Sequence, residues 1–122
     1  MGRDPRHPWR RLAALVISMA QFDVYPNPSH SAEQGIPYVV VIQSDLLDAL
    51  ATRLTIPLAT SEWAGKSPEK LSPVITVNGQ NLRALAHYAA PLPTRALRLS
   101  LGNVSAQSAA LIAAMDVVLS GV

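Results

Sequence analysis

The fold of this chain follows from residues 39–59, which read VVVIQSDLLDALATRLTIPLA. The stretch begins with four consecutive β-branched residues, 39–42, where a half-buried strand would alternate apolar and polar side chains. Such an unbroken run predicts a strand that is buried on both faces. The next residues, 43–45, carry side chains that hydrogen-bond nearby backbone groups and therefore interrupt strands. We expect a strand, a tight connection that holds Leu46 and Leu47, and then a second strand.

Further strands are indicated on both sides of this stretch. Residues 21–25 alternate polar and apolar side chains, as a half-buried first strand does, and they favour an antiparallel pair with the central run. Asn78-Gly79 lies between two β-forming runs and predicts a tight hairpin, because both turn positions need positive φ. Residues 91–93 (Pro-Leu-Pro) predict a break between secondary-structure elements. The alternation in residues 94–101 predicts one more strand.

The last segment changes its hydrophobic period. Leu111, Met115, Val118 and Leu119 fall at i, i+4, i+7 and i+8, which predicts an amphipathic helix. Alanines between them favour the helix further, and Ser105 is the candidate N-cap. The sequence therefore predicts an all-β, barrel-like body of antiparallel strands that ends in one helix.

Composition and charge narrow the function classes. The chain has 122 residues, of which 49% are hydrophobic and 15% charged, and this is enough for one domain with a core. Cysteine is absent, which excludes a disulfide scaffold and fits a reducing compartment. Residues 1–18 hold four arginines and one aspartate, whereas the remainder holds six Lys or Arg and seven Asp or Glu. The main domain is nearly neutral, so a phosphate-binding footprint for nucleic acid is not indicated.

Residues 1–18 combine scattered arginines with a short apolar piece at residues 12–17. One interpretation is a signal peptide, but the apolar piece is short and no convincing cleavage site precedes Gln21. We favour a second interpretation, in which Met19 is the start and the leader is an over-extended reading frame. The chain then consists of an N-terminal extension, 1–18, and a single domain, 19–122. No apolar stretch approaches the roughly 20 residues that span a bilayer, so we expect no membrane partner.

Residues 60–70 are polar, contain Gly and Pro, and show no hydrophobic period. They predict an exposed excursion between two strands. Trp63 lies within it, and the sequence leaves two interpretations open. The side chain is either an anchor for a binding partner or a ring that folds back over the edge of the barrel.

Catalytic machinery is not evident from the residue spacing. The histidines, at 7, 30 and 87, are dispersed and have no carboxylate at helical spacing, so a metal site is not expected. Asp45 and Asp48 are better explained as turn formers than as an acid pair. No glycine-rich loop suits a phosphate, and no serine has the glycine flanks of a nucleophile elbow. These patterns favour a binding protein without a cofactor over an enzyme.

Five blocks occur in a specific order and at specific spacings. They are Gln21-Phe22-x-Val24-Tyr25, Val41-x-Gln43-Ser44-Asp45-Leu46-Leu47-Asp48, Arg53-x-x-Ile56-Pro57-Leu58-Ala59, Leu71-x-Pro73-Val74 and the closing Gly121-Val122. Together they resemble the CcdB family, which are toxins of plasmid and chromosomal toxin–antitoxin modules. The resemblance covers residues 19–122, and the QSDLLD and IPLA blocks are its most specific part.

The resemblance implies an SH3-like antiparallel β-barrel with a long C-terminal α-helix, assembled as a twofold homodimer. It implies a cytoplasmic toxin that binds the DNA gyrase A subunit and traps the gyrase–DNA cleavage complex, in plasmid maintenance or stress response. It also implies a CcdA-like antitoxin whose disordered segment wraps the toxin. DNA is then reached only indirectly, through the antitoxin complex that regulates transcription.

Carried over residue by residue, the gyrase-binding positions are Ser120, Gly121 and Val122, with Leu46 and Leu47 as neighbours. The sequence departs from the family at Ser120, where the family carries a tryptophan. Loss of a buried aromatic anchor can remove several kcal/mol of binding. Weak gyrase poisoning, a variant binding surface, and a changed target or lost toxicity all stay open.

The resemblance also points to antitoxin-binding positions. These are Asp116 and Leu119 on the helix, with Trp63 and Lys66 in the excursion. Disordered partners gain from exposed apolar grooves and a few charges. The alternative for any one of these residues is a variable, solvated position without a role.

A different function on a related barrel is a MazF-like ribonuclease. That activity needs a cleft with a general base and arginines that bind phosphate. No base is obvious, and the candidate cations are Arg53, Arg83, Arg95 and Arg98.

Overall fold

The structure is a computed structural model that describes residues 19–121. The predictions made for residues 1–18 and for Val122 therefore lie outside the described residues. The strands are β1 (Asp23–Pro26), β2 (Tyr38–Val41), β3 (Thr52–Ala59), β4 (Val74–Val77), β5 (Gln80–Ala84), β6 (Ala90–Pro93) and β7 (Gly102–Asn103). The α-helices are α1 (Ser61–Ala64) and α2 (Ser108–Ser120), and short 3₁₀ turns occupy His30–Gln34, Asp45–Leu47, Ala86–Tyr88, Thr94–Ala96 and Ser105–Gln107.

All strand pairs are antiparallel, in the order β4-β5-β3-β2-β1-β7, and β6 also pairs with β3. The long strand β3 is the centre of the sheet. One of its edges pairs with β2, while the other pairs with β6 through its first half and with β5 at its end. This division bends the sheet into a nearly closed barrel, and the predicted mainly β barrel with a C-terminal helix is confirmed.

The apolar run of β2 is buried on both faces, as predicted. Val40 packs in the main core together with Ile56, Leu58 and Leu111. Val39 and Val41 face the opposite side, where they pack in a second cluster that includes Tyr25 and Leu97. A strand between two apolar clusters needs apolar residues at every position, which explains why its sequence does not alternate.

Side chains close the barrel on its open side. The side-chain amide of Gln107 donates to the Thr76 carbonyl (2.8 Å) and its oxygen accepts the Thr76 N–H (2.9 Å). Asn78 Nδ2 donates to the Leu101 carbonyl at 3.3 Å. The edge strand β4 is thus tied to the segments that flank β7 without a backbone ladder, and its exposed groups at Thr76 are satisfied.

The predicted Asn-Gly hairpin is present between β4 and β5, with φ of 48° at Asn78 and 83° at Gly79. Two other predictions are wrong. Residues 91–93 belong to the strand β6, because the two prolines are two residues apart and place their missing N–H groups on one side of an edge strand. Residues 94–101 are not a strand, since Thr94–Ala96 forms a 3₁₀ turn and Leu99 remains 68% exposed.

The C-terminal helix begins later than predicted. Ser105 starts a 3₁₀ turn, and α2 begins at Ser108 after Gln107, whose side chain gives no cap because it holds β4. Leu111 is fully buried, but Leu119 is 77% exposed, so the predicted apolar stripe is buried only in its first part. The end of the helix therefore leaves apolar side chains exposed. Within the part of the chain that the structure describes, no helix has the length and apolarity to cross a membrane.

Candidate functional site

The connection between β2 and β3 is held in shape by polar side chains. The Ser44 hydroxyl accepts the Leu46 N–H and so caps the 3₁₀ turn Asp45–Leu47. Gln43 Oε1 accepts the Leu54 N–H at 3.0 Å, and Gln43 Nε2 lies 3.3 Å from the Leu47 carbonyl oxygen and donates to it. These bonds replace the strand pairing that ends at this point, so the connection has a defined backbone conformation.

A buried arginine completes the connection. Arg53 is only 5% exposed, and its guanidinium donates to the carbonyls of Leu50 (2.6 Å), Asp48 (2.7 Å) and Thr52 (3.1 Å). The guanidinium thereby satisfies the Asp48 and Leu50 carbonyls, and it shares the Thr52 carbonyl with Gln43 Nε2. The positive charge is directed inward, at the backbone of the connection.

The leucines of this connection point away from the core. Leu46 is 93% exposed, Leu47 is 49% exposed and Leu50 is 52% exposed. Three large apolar side chains on one short, well-ordered connection form a surface suited to a protein partner. We call Leu46, Leu47 and Leu50 the leucine connection.

The end of α2 presents a second exposed apolar surface. Leu119 is 77% exposed and Ser120 and Gly121 are also exposed. The Ser120 hydroxyl donates to the Asp116 carbonyl at 2.6 Å, so it turns back onto the helix. Gly121 adopts the left-handed conformation and donates its N–H to the Val117 carbonyl, which ends the helix in a defined way.

A groove lies between the helix and the end of β2. Its volume is about 180 Å³, and it is lined by Phe22, Ile42, Leu111, Ile112, Met115 and Asp116. The leucine connection begins a few residues after Ile42, and the helix end begins one turn after Asp116. The groove lining therefore contains residues that precede each exposed apolar surface in the chain.

Comparison with known proteins decides the family. The family model described as "CcdB protein" matches residues 21–121, which is most of the chain. The chain belongs to the CcdB family. CcdB proteins are the toxins of toxin–antitoxin modules, so the family places this chain among such toxins. A comparison with curated proteins found no match.

In this CcdB protein, Trp63 folds back onto the barrel and also stays partly accessible. The residue is 38% exposed, and its ring meets that of Tyr88 edge to face, with centroids 5.7 Å apart. Gly35 is required beneath it, because a Cβ there would lie 3.0 Å from the Trp63 Cβ and φ is +103°. Lys66 is exposed nearby in the chain. Among the described residues, neither contributes to the lining of the groove that includes Asp116.

The arginines named for the ribonuclease alternative have other partners where they are buried. Arg83 donates to the carbonyls of Ser67 and Ser72 and, at 2.6 Å, to the Ser72 hydroxyl. Arg53 is likewise bound to carbonyls, so neither guanidinium is directed at a phosphate site. Arg95 and Arg98 are exposed. This arrangement does not favour the ribonuclease.

The carboxylates and histidines of the CcdB domain do not converge. Asp45 Oδ1 accepts the Gln21 N–H at 2.8 Å and so joins the connection between β2 and β3 to the residues that precede β1. Within residues 19–121, no three His, Asp or Glu side chains form a group suited to a metal ion. Burial and the neighbouring Asp23 raise the pKa of Tyr25 to about 12, although Arg53 acts in the opposite direction. Tyr25 is therefore a neutral core residue at physiological pH.

Sequence reasoning named Leu46, Leu47 and the helix end of this CcdB protein as candidate positions, but it did not indicate the groove. Phe22 and Ile42 read as core positions, and only the tertiary structure brings them to Met115. Ile112 gave a signal, since it interrupts the polar face of the helix, and it is 52% exposed. The functional assignments of Leu46, Leu47, Asp116, Leu119, Trp63, Lys66 and the C-terminal residues remain predictions.

Proposed function

We propose that this CcdB-family protein poisons DNA gyrase by binding its A subunit and stabilising the gyrase–DNA cleavage complex, without catalysing a reaction itself. One observation carries the proposal. Leu46 is 93% exposed on a connection whose backbone is fixed by Ser44, Gln43 and Arg53. An exposed leucine costs solubility, and a rigid one loses little entropy on binding, so it suits recognition of another protein.

The mechanism is a difference in affinity between two states of gyrase. A ligand that binds the cleaved-DNA state more tightly than the resealed state shifts the population toward the cleaved state. The amount of trapped complex depends on that difference in affinity and not on the total affinity. A rigid toxin surface can discriminate between the two states of gyrase because it does not adapt to both of them.

Ser120 stands at the position of the family tryptophan, and its hydroxyl is bound to the Asp116 carbonyl. We propose that Leu119, which is 77% exposed, supplies the apolar contact here together with Gly121 and Val122. A leucine buries less area than a tryptophan, so we expect weaker gyrase binding than in family members that have the ring.

We propose that the toxin acts as a cytoplasmic homodimer. The helix leaves Ile112, Val118 and Leu119 exposed, by 52%, 38% and 77%. An unpaired apolar helix face is the kind of surface that a second copy covers. In a twofold dimer, both helix ends and both leucine connections can contact one gyrase dimer.

A CcdA-like antitoxin is the proposed second partner, and DNA is contacted only through that complex. Trp63 supports this, since a partly exposed aromatic ring on a supported surface is a common binding anchor. Lys66, Asp116 and Leu119 would add charge and apolar contact at separate positions. A long disordered segment can reach separated positions because it wraps its partner.

The test of gyrase poisoning is a cleavage assay with purified gyrase, plasmid DNA and the toxin. We expect linear DNA to accumulate with the full chain, and to disappear when residues 120–122 are removed or when Leu46 is replaced by Ser. The matched control is Leu99→Ser, which changes a leucine that is 68% exposed on another segment. The control should retain the effect of the unchanged protein.

Two results would reject this function. Cleavage complexes that form equally well after removal of residues 120–122 would show that the helix end is not involved. Degradation of RNA by the purified toxin in the absence of gyrase would favour the ribonuclease instead. Circular dichroism of each variant shows whether the barrel is retained.

A further inference from the structure

The turn between β4 and β5 places a reactive pair of residues at an exposed position. Asn78 and Gly79 are its two central residues, and both are exposed and have positive φ. Asparagine is among the thermally labile residues, because the backbone nitrogen of the following residue can displace its side-chain amide. The pair Asn-Gly is the most favourable for this attack, since glycine has no Cβ to obstruct it.

Gly79 leaves its own nitrogen unobstructed in the folded protein. Within residues 19–121, the Gly79 N–H has no hydrogen-bond acceptor, so its nitrogen gives up no such bond when it reacts. A Cβ built on Gly79 would meet no other atom within 4 Å, so this side of the turn is open to water. A two-residue turn that stands free at the end of a hairpin opens more readily than the strands behind it.

Two of the other asparagines are protected by the residue that follows them. Asn27 precedes Pro28, which has no N–H and so cannot supply the attacking nitrogen. Asn103 precedes Val104, whose N–H donates to the Phe22 carbonyl at 2.9 Å. That bond must break before the nitrogen of Val104 can react, and the branched valine side chain adds steric hindrance.

The remaining asparagine is held inside the same hairpin. Asn81 lies in β5 and precedes Leu82, which is fully buried and paired with Ile75. The Asn81 side-chain oxygen also accepts the Thr76 hydroxyl at 2.7 Å. Attack on Asn81 would require the β4–β5 pairing to open, so Asn78 is the asparagine that the fold leaves available.

Asn78 also helps to close the barrel. Its Nδ2 donates to the Leu101 carbonyl at 3.3 Å, which ties the end of β4 to the residues before β7. Gln107 makes the neighbouring tie, because its side chain bonds to both the N–H and the carbonyl of Thr76. Loss of the Asn78 amide therefore removes one of the two side-chain ties that the described residues form across this gap.

We propose that Asn78 is a site of spontaneous deamidation, with water as the co-reactant, and that this modification releases β4 from Leu101. The Gly79 nitrogen gives up its proton to water and attacks Asn78 Cγ. A bond forms between these two atoms, the Cγ–Nδ2 bond breaks, and the amide nitrogen takes up a proton and leaves as ammonia. Water then opens the resulting cyclic imide at either carbonyl and yields aspartate or isoaspartate, and no atom is oxidised or reduced.

Both products lose the contact with Leu101. A carboxylate has no N–H to donate, and its negative charge faces the carbonyl oxygen that the amide had bound. Isoaspartate also routes the backbone through the side-chain carbon, which lengthens the turn. Because a two-residue turn sets the register of its hairpin, this lengthening disturbs the pairing of Val77 with Gln80.

The first experiment follows the unchanged full chain during incubation in warm buffer at neutral and at mildly alkaline pH. Peptide mapping by mass spectrometry measures conversion at each asparagine, and fragmentation distinguishes isoaspartate from aspartate. We expect Asn78 to convert at least about tenfold faster than Asn27, Asn81 or Asn103, which serve as controls in the same chain. Conversion should be faster at the higher pH, because the attacking nitrogen must lose its proton.

Two results of this incubation would overturn the site. One is conversion at Asn78 that is no faster than conversion at Asn81. The other is formation of aspartate without isoaspartate, since direct hydrolysis of the side-chain amide would not involve the Gly79 nitrogen.

The second experiment measures the effect on the barrel by amide hydrogen exchange. Asn78→Asp reproduces one product, and Asn78→Gly removes the same hydrogen bond without adding a charge, in a residue suited to positive φ. We expect the Thr76 N–H, which is bound to Gln107, to exchange at least about threefold faster in both variants. The Ile42 N–H, which donates to the Leu54 carbonyl, should exchange at an unchanged rate and so exclude general destabilisation. Unchanged exchange at Thr76 in either variant would show that Asn78 does not hold this gap closed.

Discussion

Two connections flank β3, and each of them accepts hydrogen bonds from the guanidinium of one arginine. Residues 43–51 precede the strand, and Arg53 donates to the carbonyls of two of them, Asp48 and Leu50, and to that of Thr52. Residues 60–73 follow it, and Arg83 donates to two carbonyls and one hydroxyl there. In both places a guanidinium supplies hydrogen bonds that a neighbouring strand would otherwise supply, because its donors reach several acceptors at once.

The two connections differ in what else holds them. Residues 60–73 bury Ala64 and Ser72 completely or nearly so, and Trp63 packs on Tyr88. The leucine connection buries none of its three leucines, so polar bonds to Arg53 and Gln43 are its main anchors. A connection held by hydrogen bonds keeps its apolar side chains available, and this is the physical basis for assigning it to partner binding.

Replacement of Arg53 by Met should have the largest effect on stability. The Asp48 and Leu50 carbonyls lose their donor at an arginine that is only 5% exposed, while the Thr52 carbonyl keeps the Gln43 amide at 3.2 Å, and each unsatisfied buried group costs about 1 kcal/mol or more. We expect the free energy of unfolding in urea to fall by about 3 kcal/mol. Arg53→Lys should recover part of this loss, because lysine donates but lacks the planar fork. A loss below about 1 kcal/mol would show that water replaces the arginine.

Replacement of Arg83 by Met should cost less, about 2 kcal/mol, because this arginine is only partly buried and Ala64 and Trp63 still anchor the connection. The same urea titration measures it. Arg98→Met is the matched control, since Arg98 is exposed, and it should change stability by less than about 0.5 kcal/mol. Equal losses for Arg53 and Arg83 would remove the distinction between the two connections.

Titration of Tyr25 reports on the connection that Arg53 holds and not on the one that Arg83 holds. Its pKa of about 12 lies above the ordinary value of 10.0 because of burial and of Asp23, while Arg53 lowers it. The neutral phenol is favoured in the folded state. Tyr25 therefore makes its full contribution to the free energy of unfolding below pH 10, and this contribution declines as the pH rises toward 12. Tyr25→Phe should remove this decline. Arg53→Met should raise the pKa of Tyr25 further, and Arg83→Met should not, as followed by phenolate absorbance.

The sequence predicted those parts of the fold that depend on local pattern. The apolar run of β2 predicted a buried strand, and Asn78-Gly79 predicted a tight turn. Both predictions were confirmed. The strand β6 was missed because prolines usually oppose strands, and only its place at an edge of β3 makes them acceptable. Ser105 was misassigned as the helix cap because the next turn is 3₁₀ and the helix starts three residues later.

The candidate site was less accessible to sequence reasoning. A leucine in an apolar stretch usually predicts a buried side chain, whereas Leu46 is exposed. Only the resemblance to CcdB proteins indicated Leu46 as a binding position. Apart from the Ser72 hydroxyl, the partners of Arg53 and Arg83 are backbone carbonyls, which carry no sequence signal at all. The groove at Met115 requires the helix to lie against the end of β2, and such a juxtaposition of distant segments follows from the closed barrel alone.

The smallest expected effect on stability is also the one that separates binding from folding. Leu46→Ser should change the free energy of unfolding by less than about 0.5 kcal/mol, because a side chain that is 93% exposed contributes almost no burial. The buried Leu58→Ser should cost several kcal/mol by the same measurement, since its side chain is fully enclosed in the main core. If Leu46→Ser keeps full stability while gyrase cleavage complexes vanish, the leucine is present for a partner. A clear loss of stability at Leu46 would instead show that the connection depends on its own leucines, and the contrast with residues 60–73 would no longer hold.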